Sequence, residues 1–225
     1  MINIPHKPSS RHKGTSMTQA QPVQPQEPTP AQKIAAAAKA LDTKQYKTFQ
    51  NIVQQAGPKL RQSPRMLHLR GLYAFEKKQG LRAVKLISEA IKKRPKELIF
   101  KHNLAVILSS LGEFEKAKDL LLEVIKANPN YAEAYHTLSP IYKFTKNDTL
   151  ISGMEAALQK EGLTGIERSF LDFAMAKAKD DIGDTESAWG ALVSGNSKTK
   201  TNYDSAKETR GVTELDAYFT REKIE

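Results

Sequence analysis

The sequence predicts an all-α chain of stacked helix pairs, a right-handed solenoid, preceded by a disordered tail. Three observations carry this. From Ala31 onward apolar residues recur every three or four positions, the spacing of one helix face, with no sustained alternation of the kind a half-buried strand shows. Sliding the chain against itself by a period of 34 brings Gly71 onto Ala105, Ala83 onto Ala117, Ile87 onto Leu121 and Pro95 onto Pro129. The opening stretch, 1–30, is rich in Pro, Gln, Ser and Thr and lacks the apolar side chains that would offset the entropy of ordering it.

The tail, 1–30, contains a second methionine, Met17, that offers an alternative start. Helical repeats are expected over 31–195. They open with a short helix, AQKIAAAAKAL, and a degenerate unit in which Phe49 and Val53 stand one period before Ala83 and Ile87. The first full unit runs over 64–97, with Leu67, Gly71, Ala74, Ala83, Ile87, Ala90 and Pro95 at the packing positions. The second runs over 98–131, with Leu104, Ala105, Leu108, Ala117, Leu121 and Pro129. Small residues are needed where the two helices of a pair approach closely, larger ones fill the space beside them, and the prolines stop each second helix.

A third unit begins with Tyr135, Leu138, Ser139 and Tyr142, but Met154 and Leu158 follow Ala117 and Leu121 by 37 positions, so three are inserted near KFTKNDT. Gly183, Ala188 and Leu192 follow Gly112, Ala117 and Leu121 by 71, two periods plus the same insertion, which predicts a fourth unit. Thr164 and Glu167 have the spacing of a capping box at its start. Over 196–225, Val212, Leu215, Tyr218 and Phe219 stand at helical spacing and suggest a C-terminal capping helix or linker.

The two clear copies resemble the tetratricopeptide repeat: a large residue, then Leu-Gly, then A-x3-F and a closing Pro, at a period of 34. The resemblance implies protein binding in a concave groove lined by the first helix of each pair. The segment 170–196, FLDFAMAKAKDDIGDTESAWGALVSGN, further resembles the last repeat of bacterial proteins in which such repeats precede a sulfotransferase domain, through Asp180, Asp181, Gly183, Asp184, Ala188, Gly195 and Asn196. Those proteins continue into a P-R-S-G-T phosphate-binding loop. The only Ser-Pro-Arg here, at 63–65, has no glycine-rich loop behind it, so no catalytic residue carries over. Under that resemblance the chain is a regulatory or substrate-presenting arm, with a sulfotransferase domain as a further partner.

Composition narrows the function. With no cysteine, disulfides, thiolate nucleophiles and cysteine-ligated metals are excluded. The longest apolar runs, 34–38 and 104–108, are far too short for a membrane span, so a cytoplasmic protein is expected. The net charge of +10 is uneven: residues 31–97 hold 16 Lys or Arg against 4 Asp or Glu, and residues 164–225 hold 9 against 12. Arg82, Lys85, Lys92, Lys93, Arg94 and Lys96 would suit nucleic acid or an acidic partner. They fall mostly on a second helix, facing the convex back, without interleaved aromatics for base stacking, which makes nucleic acid the weaker reading.

Three histidines, His68, His102 and His136, recur at steps of 34 and so share one place in successive repeats, expected to face the groove as solvated polar aromatics. Helices packed about 8–10 Å apart do not bring one such residue per repeat onto a single ion, so no metal is expected. The carboxylate clamp of chaperone-binding tetratricopeptide adaptors is rejected too: its positions hold His68, Leu72, Asn103, Glu133 and Thr137, of which only Asn103 matches. The acidic group Asp180, Asp181, Asp184 and Glu186 lacks the spacing of a calcium loop and is expected to be a solvated inter-helix turn. Neither a catalytic site nor a cofactor is expected. The groove is expected to be lined by His68, Leu72, Phe75, His102, Asn103, Val106, Ser109, His136 and Lys143, and to take a peptide or helix of a protein partner.

Overall fold

A computed structural model describes residues 27–198. Positions 1–26 of the expected tail, and the expected cap around Val212, Leu215, Tyr218 and Phe219, lie outside the described residues. Helices α1 (Pro30–Asp42) and α2 (Tyr46–Gln55) form a first hairpin, followed by the single turn α3 (Pro58–Arg61). Then come α4 (Pro64–Glu76) with α5 (Gly80–Lys93), and α6 (Leu98–Ser110) with α7 (Phe114–Ala127). Helix α8 (Ala132–Leu138), prolonged by a 3-10 turn over Ser139–Ile141, pairs with α9 (Thr149–Leu158), and α10 (Gly165–Asp181) with α11 (Thr185–Lys198).

Local chemistry sets the boundaries. Thr29 and Gln32 exchange hydrogen bonds as a capping box, Thr29 N–H to Gln32 Oε1 at 2.8 Å and Gln32 N–H to Thr29 Oγ1 at 3.3 Å, with Pro30 as the first helical residue. The first helix therefore starts inside the stretch expected to be tail. The expected Thr164–Glu167 box is present, with Thr164 N–H on Glu167 Oε2 at 2.8 Å. Pro95 and Pro129 each stand just beyond the end of a second helix.

The repeat period is also written in the backbone of the turns. Lys44, Lys78, Gly112 and Gly183 all adopt left-handed φ, at 55°, 59°, 81° and 82°. In each case the next N–H reaches back to the same point of the preceding helix: Gln45 to Ala40 O at 2.7 Å, and Gln79 to Ala74 O, Glu113 to Leu108 O and Asp184 to Lys179 O, each at 2.9 Å. Lys44 obeys the period although the unit around it is degenerate in sequence.

One core of buried side chains runs through the array from Leu67 to Ala178 and includes Ala83, Ile87, Ala117, Leu121, Tyr135, Met154 and Leu171. A second, smaller cluster of Ala37, Ala40, Phe49, Met66 and Leu69 joins α1 and α2 to α4. Gly71 is required: a Cβ there would come within 2.4 Å of Ile87 Cγ1, so α4 and α5 touch at closest approach as the repeat pattern demands.

The third unit departs from the expectation. Pro140 has no N–H to offer the His136 carbonyl, and the Ser139 hydroxyl donates to it instead at 3.0 Å. The helix stops at Leu138, Tyr142 is extended (φ −122°, ψ 139°), and Lys143, expected on a groove helix, lies in the coil that follows. Asp181 holds that coil. Its side chain, only 4% exposed, accepts from Lys143 Nζ at 2.7 Å, from the Phe144 N–H at 3.1 Å and from Lys177 Nζ at 2.5 Å, while the Phe144 ring is buried. Asp184 accepts from the Ser187 N–H at 3.2 Å, in the first turn of α11. Asp181 and Asp184 in the acidic turn are thus structural anchors, and the expectation of a solvated turn fails at Asp181. Leu192, expected to pack like Leu121, is 38% exposed.

Candidate binding groove

Helices α1, α4, α6, α8 and α10 are the first members of their pairs, the helices expected to line the groove. The three histidines sit on α4, α6 and α8, but they do not stand in solvent. His68 and His102 are 8% and 9% exposed, and His136 is half-buried. Each imidazole packs on an aromatic ring farther along the array: His68 on Phe100 at 4.6 Å, His102 on Tyr131 at 5.4 Å, and His136 on Phe170 at 4.9 Å and Phe173 at 6.2 Å. Two also hydrogen-bond into the next repeat, His68 Nε2 with Asn103 Nδ2 at 2.8 Å and His102 Nε2 with Thr137 Oγ1 at 3.0 Å.

Burial lowers the pKa of all three, that of His68 to about 4 against the opposing charge of Glu97. The His68 ring is therefore neutral at physiological pH, accepting from the Asn103 amide on Nε2. These residues fasten one repeat to the next. They are large, polar only at the ring edge, and bridge the same gap in each step, which explains their period better than ligand contact does.

That leaves a shorter apolar groove than expected. Leu72 and Phe75 of α4, both half-buried, line a cleft of about 310 Å³ with Ala38 and Leu41 of α1 and Leu69. Asp42, Lys44 and Glu76 complete its wall. Ala38 and Leu41 are absent from the expected lining, yet they stand one period before Leu72 and Phe75, so the period itself contained the signal. Continuing the same steps gives Val106 and Ser109, half-buried on α6. The row Leu41, Phe75, Ser109 loses apolar character toward the C-terminus, and Lys143 is diverted to Asp181. Asn103 is engaged by His68.

The basic residues of 82–96 lie on and just after α5, and several are already engaged. Arg82 donates to Gln79 Oε1 at 2.9 Å, Lys93 to the Gln62 carbonyl at 2.9 Å, and Arg94 lies 3.6 Å from Glu97. No described helix is long and apolar enough to cross a membrane.

Residues 74–139 match the tetratricopeptide repeat family. An uncharacterised protein of Aquifex aeolicus is 27% identical over 164 residues, which cover 72% of this chain but 21% of that protein, so the chain spans about a fifth of the length of this relative. Among solved structures, MamA (AMB-1) superposes with a TM-score of 0.54 at 15% identity, over 74% of this chain and 96% of that one. The structure of pilF from Pseudomonas aeruginosa gives 0.59 at 12% identity, over 77% of this chain and 78% of that one. At such identities the likeness concerns the fold, which is an all-helical tetratricopeptide-like repeat array. A protein partner is what such repeats imply; these likenesses give the sulfotransferase resemblance no support.

Proposed function

We propose that this chain is a non-catalytic scaffold that holds an apolar segment of a protein partner, an extended peptide or an amphipathic helix, against the N-terminal end of its concave face. The observation that supports this most is the cleft formed by Ala38, Leu41, Leu69, Leu72 and Phe75. Large apolar side chains there remain partly open on the face that tetratricopeptide repeats use for ligands, whereas the polar positions farther along serve inter-repeat contacts. Acidic and basic groups share the wall, so recognition rests on apolar burial, with Asp42, Glu76 and Lys44 setting orientation.

The test is a photo-cross-linking amino acid placed at Phe75, with a control at Lys85 on α5, expressed in the native host. A discrete protein adduct from position 75, absent from position 85 and abolished by Leu41→Glu in the same chain, is the expected result. Equal adducts from both positions, or none from position 75, would sink the proposal.

A further inference from the structure

The first hairpin joins the array differently from the pairs that follow. Residues 94–97 connect α5 to α6 and 128–131 connect α7 to α8, and both junctions pack directly. The connection from α2 to α4 is longer, 56–63, and contains the single turn α3. With it goes a cavity of about 250 Å³ among α2, α4 and α5, which shares no lining residue with the cleft at Phe75. Residues four apart lie on one face of a helix, so each wall is a pair. Phe49 and Val53 of α2 face the cavity with Leu86 of α5, and these apolar side chains are buried or half-buried. Gln50 and Gln54 of α2 and Arg82 of α5 are exposed at its edge, and Arg70 of α4 is half-buried.

Two positive charges thus line one small cavity, and neither is neutralised. Arg70 donates to the Arg61 carbonyl at 3.1 Å and Arg82 to Gln79 Oε1 at 2.9 Å, both neutral acceptors, and among the described residues no carboxylate forms an ion pair with either guanidinium. Glu89, which acts on Arg70 through space, lies 4.0 Å from Lys93. Burial lowers the Arg70 pKa, and the neighbouring charges of Arg82 and Arg61 lower it further against Glu89, so like charges crowd here without an anion to offset them. A guanidinium presents a planar fork of N–H donors that matches a carboxylate. The aromatic lining is less suited to nucleic acid: Tyr73 is already packed on Phe49 at 4.9 Å and on Tyr46 at 5.8 Å, a poor platform for stacking a base.

We propose that this cavity is a second binding site, for an acidic segment of a protein partner in which an apolar side chain stands beside a carboxylate. The apolar side chain enters against Phe49, Val53 and Leu86, and the carboxylate accepts from Arg70 and Arg82, with the Gln50 and Gln54 amides as further donors. The test is a titration of the full chain, labelled with nitrogen-15, with a blocked hexapeptide of sequence Gly-Ser-Leu-Glu-Ser-Gly. The expected result is saturable movement of the amide signals of α2 and α5 around the cavity, with those of α10 unmoved. Replacing Glu by Gln in the peptide, or Leu by Ser, should each weaken binding by about tenfold or more.

Arg82 is exposed, so Arg82→Gln removes one charge without disturbing the core and should weaken the Leu-Glu peptide by about tenfold. Arg82→Glu should abolish its binding and admit a Leu-Lys peptide instead. Lys92→Gln, an equal loss of charge at an exposed position of α5 outside the cavity, should change nothing. No saturable shift at millimolar peptide would overturn the proposal. So would equal weakening by Lys92→Gln, which means diffuse charge is the attraction, or equal binding of the peptide without Leu, which means the apolar wall takes no part. Displacement of the peptide by an equimolar thymidine oligonucleotide would assign the site to a polyphosphate chain and end it too. Leu41→Glu, in the other cleft, should leave these shifts as they are, so the two proposals fail separately.

Discussion

At the scale of single residues, the buried histidines convert packing into pH dependence. The His68 imidazole is held near pKa 4 in the folded chain and titrates near 6.5 when unfolded. The unfolded chain therefore takes up the proton first, and the stability contributed by the neutral ring is whole above pH 6.5 and drains away as pH falls toward 4. In that window the His68 ring alone costs about 1.4 kcal/mol per pH unit. His102 and His136 act in the same direction. Urea unfolding at stepped pH should show stability falling from pH 6.5 to 4, and His68→Phe should flatten the slope; an unchanged slope would remove His68 from the account.

Gly71 gives a steric counterpart. A methyl carbon added there would stand 2.4 Å from Ile87 Cγ1. Gly71→Ala must therefore push α4 and α5 apart or force an off-rotamer isoleucine, at a cost of about 2 kcal/mol. Thermal melting would register this, and a neutral result would mean that the helices separate freely.

At the scale of elements, the turns and the broken third unit make opposite predictions about backbone. Lys78 holds a left-handed φ that Gly112 and Gly183 take at the same point of their repeats. A side chain is disfavoured there and glycine is not, so Lys78→Gly should stabilise the chain by about 0.5–1 kcal/mol, in contrast to the usual effect of a new glycine. Equilibrium denaturation checks the sign.

Asp181 carries the coil of 142–148. Burial alone would raise its carboxyl pKa, but the bonds from Lys143, Lys177 and the Phe144 N–H outweigh it and hold the group at about 2. A carboxylate depressed in this way stabilises the fold above its unfolded value of about 3.9 and loses that contribution as pH falls toward about 2, a window below that of the histidines. Asp181→Asn should cost about 2 kcal/mol and open the coil to limited proteolysis between Tyr142 and Asp148, leaving α6 and α7 intact.

The period made the two clear helix pairs legible, because close packing restricts Gly71 and Ala105, and Ala83 and Ala117, to small side chains at the same positions. The early stop of α8 was harder to see. Tyr142 and Lys143 keep repeat spacing in sequence, and only the consequence of Pro140 for the His136 carbonyl shows that they leave the helix.

At the scale of the whole molecule, the proposed site and the stability of the array are linked. The histidine ladder was legible as a period but not as a set of junctions, since neither His68 nor its period reveals that Phe100 and Asn103 enclose it. The cleft was half legible. Leu72 and Phe75 belong to a clear repeat, whereas Ala38 and Leu41 belong to a unit whose sequence has drifted, although its turn at Lys44 has not.

That drifted unit is attached through its own small cluster, Ala37, Ala40, Phe49, Met66 and Leu69, apart from the long core. In a linear array, stability is a sum of units and junctions, so α1 and α2 should open below the free energy of global unfolding. One wall of the cleft is therefore its least stable part, and a ligand bound there must stabilise the unit it touches. Met66→Ala, which empties the centre of the small cluster at a cost of about 3 kcal/mol, should speed hydrogen exchange at the amides of α1 and α2 while leaving those of α6 and α7 unchanged. It should also weaken capture of the partner that cross-links at Phe75. Uniform acceleration along the whole array would show that it unfolds as one unit, and the cleft would then have no stability of its own for a ligand to modulate.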